Sequence, residues 1–133
     1  MSGAMTRHAR WVVHHPAAAL FDRRPLVFTA HSAETAYLRE RICAFVLGRD
    51  AVPVNPWMAG GYFLYGLVDK DRVRRANNNL LMRADELWVF TTPAEEVADG
   101  VQVEVDWAEA NALPVRRFVL DHYGESIVEA PRS

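Results

Sequence analysis

Cysteine is almost missing from this chain of 133 residues, with Cys43 standing alone. One thiol excludes an internal disulfide and any zinc site built on cysteines, and its place inside an apolar helical stretch makes it a small core residue. Lysine is as scarce: Lys70 is the only one, so positive charge is carried by arginine. That usage fits a GC-rich coding bias as readily as a need for forked phosphate donors. Acidic residues outnumber basic ones by 17 to 15, for a formal net charge of -2. This excludes the broad basic field on which a binder of nucleic-acid polymers relies, while leaving small anionic ligands open. No apolar run reaches the roughly 18 residues of a membrane span, and no leader pattern of charge, apolar core and cleavage site is present. The expectation is a soluble, cytoplasmic protein with no membrane partner. The histidines hold no metal spacing, since His14 and His15 are adjacent and His8, His31 and His122 are scattered. No metal and no cofactor are expected.

What is present suffices for one ordinary core. Half of the residues are hydrophobic and 11% are aromatic, which supports a single domain and leaves no room for a second. Regular structure is expected from Leu26 onward, with residues 1–25 as an N-terminal extension or arm, 26–121 as the domain and 122–133 as a C-terminal tail. Leu26-Val27-Phe28-Thr29-Ala30 has the length and apolarity of a strand. Ser32 then offers a helix N-cap, and Leu38, Ile42, Phe45 and Val46 form the stripe of an amphipathic helix that Gly48 ends. Val52-Pro53-Val54 is a second strand, and the missing amide proton of Pro53 puts it at an edge or an end. A helix is expected from near Leu67 to Arg83, with Val73, Ala76 and Leu80 inward, and Leu87 to Phe90 is expected to be the central strand. A last helix over about Val101 to Ala112 leads through Pro114 into a strand at Val115 to Leu120. Strands separated by helices, with no Asn-Gly hairpin signal between them, predict an α/β domain. Its fold is a doubly wound, mostly parallel sheet of four to five strands, Rossmann-like or flavodoxin-like.

In such sheets ligands sit outside the carboxyl ends of the strands. That rule gathers His31 and Ser32, the loop from Asn55 to Tyr62, and the segment from Thr91 to Glu104 at one edge. Trp57 and Tyr62 offer π-faces to a planar ligand, and equally serve as core or subunit contacts. His31 is a candidate anion contact or acid, against a structural role as a hydrogen-bonded residue. Ser32 is a candidate phosphate or sugar contact beside its role as N-cap. Glu104, near the start of its helix, is placed where the helix dipole keeps a carboxylate ionised with or without any chemistry. Asp99-Gly100 reads equally as a turn. Asp106 and Glu109 face away from Glu104. The run Asn77-Asn78-Asn79 reads as a polar helix face with a local amide network, and Arg72, Arg74 and Arg75 as a solvated stretch. Asp85 is placed to cap or pair at the start of its strand.

The succession Asp99-Gly100, Glu104, Ala108 and Pro114-Val115 resembles the nucleoside 2-deoxyribosyltransferase-like superfamily. Its members carry an Asp-x-Gly-Thr or related turn, a Glu four residues after the Gly, a small-residue helix and then a Pro-Val strand. The resemblance implies that Glu104 is a nucleophile toward the anomeric carbon of a nucleoside or nucleoside 5′-monophosphate, with Asp99 an acceptor for sugar or base. Taken with the sheet-edge rule, it makes Phe28, His31, Ser32, Asn55, Trp57, Tyr62, Asn78 and Gly100 the candidate substrate contacts. The implied partners are a small nucleoside or nucleotide and further copies of the chain, with Trp11, Trp57 and Tyr62 available to build a homo-oligomer. Three positions depart from the family pattern, the first being His31, which replaces the usual Gly or Pro of the turn after the first strand. Asn78 stands seven residues before Asp85, where the family has an Asp that exchanges a proton with the base, and an amide cannot act as an acid. Phe28 stands where several transferases carry a Tyr. The expected activity is cleavage or transfer at an N-glycosidic bond, and the alternative is a non-catalytic nucleotide-binding or subunit protein of the same fold.

Overall fold

The computed structural model describes residues 15–59, 64, 66–94 and 96–131. The expectations placed on Trp11 and Tyr62 lie outside the described residues. After a 3-10 turn at Pro16–Leu20, four parallel strands follow one another: β1 (Leu26–Ala30), β2 (Val52–Val54), β3 (Glu86–Thr91) and β4 (Val115–Leu120). Three α-helices separate them, α1 (Arg39–Gly48), α2 (Lys70–Met82) and α3 (Asp99–Ala110). A short fifth strand, β5 (Ile127–Glu129), pairs antiparallel with β4. The order across the sheet is β2-β1-β3-β4-β5, the flavodoxin-like arrangement.

Alternation along the strands explains the two layers. On β3, Trp88 and Phe90 enter one apolar cluster with Val27, Phe118 and Leu120, under Leu38, Ile42 and Val46 from the α1 side. Leu87 and Val89 point the other way and join Phe28, Leu81, Val101, Val105 and Ala108 under α2 and α3. Residues 87–90 are therefore buried on both faces, in the middle strand of the five. Burying these four side chains contributes several kcal/mol of transfer free energy before any entropy is charged against it. Pro53 lies in β2 at the sheet edge, where its missing donor leaves no ladder bond open. Asp85 accepts a hydrogen bond from the Leu26 amide at 2.7 Å and so joins the starts of β1 and β3.

The local departures from the sequence expectations have physical causes. The helix expected from Ser32 begins as a 3-10 helix, Ala33–Leu38, and becomes α-helical only at Arg39. Ser32 occupies the N-cap position in an extended conformation, yet its side chain makes no cap bond; the Ser32 carbonyl instead accepts from the Thr35 amide and hydroxyl. α2 starts at Lys70 because the Asp69 side chain caps it by accepting from the Asp71 amide. Val73 and Leu81 are its buried residues, whereas Ala76 is exposed. α3 stops at Ala110, short of Ala112, which takes a left-handed φ of 58° while the Leu113 amide donates back to the Ala108 carbonyl. The segment expected as a tail supplies β5. Gly124 makes the turn toward it at φ 70°, against Leu38 and Arg41, where a Cβ would meet Leu38 at 3.0 Å. Arg116 fastens β5 by an ion pair with Glu129 and lies 4.7 Å over the Trp88 ring, covering that side of the core. No helix among the described residues is long and apolar enough to cross a membrane.

Candidate functional site

A cavity of about 530 Å³ opens at the carboxyl edge of the sheet. It lies where β1 and β3 are neighbours although β2 intervenes in sequence, the switch point at which two crossovers leave in opposite directions and a crevice must form. Three sets of residues build it. His31 and Ser32 follow β1, Pro56 and Trp57 follow β2, and the helices contribute Arg74, Asn77 and Asn78 from α2 with Asp99, Gly100 and Glu104 from α3.

A buried polar network fixes the floor. The Asn55 side-chain oxygen Oδ1 accepts from the amides of Trp57 at 2.9 Å and Met58 at 3.2 Å, and backbone amides can only donate. The Asn55 amide nitrogen must then face Thr29 Oγ1 and His31 Nε2, each at 2.9 Å. Nε2 is therefore an acceptor, and the ring proton sits on Nδ1, which donates to Thr35 Oγ1 at 3.1 Å. Thr35 passes its own proton to the Ser32 carbonyl at 3.2 Å, and Thr29 donates to the Val54 carbonyl. Thr29, His31, Thr35 and Asn55 are all buried, and this chain of bonds explains how so many polar groups can be. It also ties the indole of Trp57, which donates to the His31 carbonyl at 3.0 Å and stands with its ring 6.2 Å from the imidazole.

Glu104 is the chemically unusual group. It is the sixth residue of α3, beyond the first turn where the helix dipole acts strongly, so the expectation that the dipole holds it ionised is corrected. Burial instead pushes its carboxyl from 4.5 up to about 7. Among the described residues no side chain pairs with it. A carboxyl at that value exchanges its proton near neutral pH, and once ionised it is a poorly solvated anion facing an open cavity. Asp99 is exposed at the first position of α3, and Gly100 beside it completes the rim. Asp106 and Glu109 are exposed away from the cavity, with Asp106 accepting from Gln102 at 2.8 Å.

The cavity thus brings together seven of the residues singled out in the sequence: Glu104, Asp99, Gly100, His31, Ser32, Trp57 and Asn78. Two stand elsewhere. Phe28 is wholly buried in the core beneath α2 and α3 and does not line the cavity. Asn55 lies below the floor with both ends of its amide committed, so it positions the loop rather than meeting a ligand. Arg74 went unnoticed as a site residue because it reads as part of a solvated run; its spacing of four from Asn78, which puts both on one helix face, was the available signal. Among the described residues the amide network expected for Asn77 to Asn79 is not formed, and of the three Asn79 bonds locally, donating to the Arg75 carbonyl at 2.8 Å. Among the described residues no group of three or more His, Cys, Asp or Glu side chains is placed to hold a metal ion.

No protein-family model matches the chain, and no curated protein matches it. Among solved structures, a 2-desoxiribosyltransferase from Leishmania mexicana is similar, with a TM-score of 0.54 and 18% sequence identity. The match covers 73% of this chain and 65% of that one, so the chain spans under two thirds of the length of the protein it resembles. At this identity the likeness is one of fold. It bears out the mostly parallel α/β fold that the nucleoside 2-deoxyribosyltransferase-like resemblance implies.

Proposed function

We propose that this chain cleaves or transfers at the N-glycosidic bond of a nucleoside or nucleoside 5′-monophosphate, with Glu104 as the nucleophile. One observation carries the reading: a carboxyl with no partner among the described residues, raised to about 7 by burial, faces a cavity at the switch point of the sheet. Breaking the bond between C1′ and the base nitrogen develops positive charge on the sugar, which a poorly solvated carboxylate stabilises far more in the transition state than in the neutral ground state. Glu104 attacks C1′ and forms a glycosyl ester. Water or a second base then displaces it, as in retaining glycoside chemistry. Asp99 and the Gly100 backbone hold sugar hydroxyls, Ser32 meets a sugar or phosphate oxygen, His31 supports the Trp57 side of the cavity from beneath, and Trp57 stacks on the base.

The protein acts as a homo-oligomer. The cavity is open, and Val103 on its wall is 64% exposed, so a second copy laid across the mouth buries that side chain and excludes water. A cytoplasmic location fits substrates drawn from nucleotide pools. The test is incubation of the purified protein with a panel of nucleosides and 5′-monophosphates, with released base followed by chromatography. Glu104→Gln keeps the side-chain volume and removes the covalent step, and should lower base release on the order of a thousandfold. The second reading is a non-catalytic nucleotide-binding or subunit protein, favoured by the amide of Asn78 where proton donation would be wanted. Measurable nucleotide affinity with no base released by the wild type would decide for it.

A further inference from the structure

The reading above leaves the departing base without a proton. Among the described residues that line the cavity the carboxyls are Asp99 and Glu104, both on α3, and none is a Tyr, Lys or Cys. Glu104 is spent on bond formation, and Asp99 stands at the start of the same helix, on the side assigned to the sugar. His31 has no proton to offer into the cavity, because Nε2 accepts from Asn55 and the Nδ1 proton is directed to Thr35. The α2 wall differs in kind, with Arg74, Asn77 and Asn78 presenting donors.

We propose that Arg74, together with Asn78, receives the departing base as an anion, so that charge stabilisation takes the place of proton donation. This rests on the glycosidic reading of the same cavity. Arg74 and Asn78 are spaced i, i+4 and so lie together on one face of α2. Among the described residues neither side chain has a hydrogen bond or ion pair, whereas their neighbours are engaged: Arg72 lies 3.9 Å from Asp69, and Asn79 donates to the Arg75 carbonyl. Among the described residues, Arg74 is the one lining the cavity with a fixed positive charge. A guanidinium donates two parallel N–H bonds to an adjacent pair of acceptors. An oxo-pyrimidine that leaves through N1 offers such a pair in N1 and O2, over which its negative charge is spread. The substrate class is therefore nucleosides of the uracil type, whose bases form stable anions, ahead of those of adenine or cytosine.

The step balances without an added acid. A Glu104 carboxylate oxygen bonds to C1′ as the C1′–N1 electron pair passes to the base, which departs as an anion held by Arg74 and Asn78. Water then adds its oxygen to C1′, the C1′–O bond to Glu104 breaks with its electrons returning to the carboxylate, and the proton lost by water ends on the base.

The test compares wild type, Arg74→Lys and Arg74→Met on 2′-deoxyuridines that carry 5-fluoro, hydrogen or 5-methyl on the base, each with and without a 5′-phosphate. Base release by the wild type should fall in that order, following the acidity of the leaving base. Arg74→Met should lower kcat on the order of a hundredfold with every substrate and steepen the dependence on base acidity, as expected for loss of a donor to developing charge. Arg74→Lys should fall between, because it keeps the charge and loses the fork, and added guanidinium ion should restore part of the Arg74→Met loss. Arg74 is exposed, so its variants should keep the wild-type melting temperature, and circular dichroism checks this. A loss confined to the 5′-phosphorylated substrates, carried by KM, would make Arg74 a phosphate contact and overturn the proposal. So would rates indifferent to base acidity, or an Arg74→Met variant equal to wild type. No base release by the wild type from any of them overturns this proposal and the glycosidic reading together.

Discussion

Glu104→Gln is expected to stabilise the protein at pH 8 and to leave it unchanged at pH 4. The folded carboxyl holds its proton up to about 7, while in the unfolded chain it ionises around 4.5. Between those values the folded state binds a proton that the unfolded state has released, so stability falls as pH rises through the window. Below 4.5 both states are protonated and nothing is lost; above about 7 the full cost of holding an ionised carboxylate in the fold is present. The interval corresponds to at most about 3 kcal/mol, and the solvent contact that Glu104 keeps brings the expected cost to about 1–3 kcal/mol. Glutamine has nearly the same shape and nothing to ionise, so the variant avoids that cost.

For a chain of this size the difference should appear as roughly 5–10 °C in melting temperature at pH 8, shrinking toward zero by pH 4. Thermal melts of wild type and variant across that range, followed by circular dichroism, measure it. Glu109→Gln, at an exposed position of the same helix, should show no such crossover. Equal melting temperatures at pH 8 would refute the burial argument. A gain of the same size at pH 4 and pH 8 would refute it too, since that is the signature of amide packing rather than of avoided ionisation.

The same ionisation predicts that kcat/KM for base release climbs with pH to a midpoint near 7 and then levels, because only the carboxylate attacks; a flat profile from pH 5 to 9 would remove Glu104 as the nucleophile. Asn55→Ala should cost roughly 2–4 kcal/mol in denaturant unfolding, since it strips partners from His31, Thr29 and two backbone amides at once, and a change under 1 kcal/mol would show the network to be dispensable. Ala112→Gly should stabilise by about 0.5–1 kcal/mol through relief of the left-handed backbone at φ 58°, the reverse of the usual penalty for glycine after a helix, and destabilisation would contradict that conformation. Sedimentation at micromolar concentration should give a mass above the 15.0 kDa of one chain, and a monomer would refute closure of the cavity by a second copy.

Legibility in the sequence tracked how local the cause was. β3 could be read because four apolar residues between two helical stretches admit few other places, and Pro53 announced an edge through one missing proton. The 3-10 start at Ala33 was hidden because the spacing of Leu38, Ile42, Phe45 and Val46 fits a longer α-helix equally well, and apolar periodicity is silent on which carbonyl each amide chooses. β5 was hidden because three residues carry too little pattern; its place is fixed by pairing with β4 and by the tie from Arg116 to Glu129. At the site, the residues from Asp99 to Glu104 were legible as a group because one helix start carries them. The ionisation of Glu104 was not, since helix position argued for an anion while burial by other elements argued against one, and the second effect is the larger. A carboxylate beyond the first turn gains at most a few tenths of a kcal/mol from the dipole, whereas removing it from water costs several times that. Phe28 misled for the opposite reason. The family resemblance put it at the site, where several transferases carry a Tyr, but its side chain lies in the core with Leu87 and Val89, and the next residues to reach the cavity are His31 and Ser32, where the strand has ended.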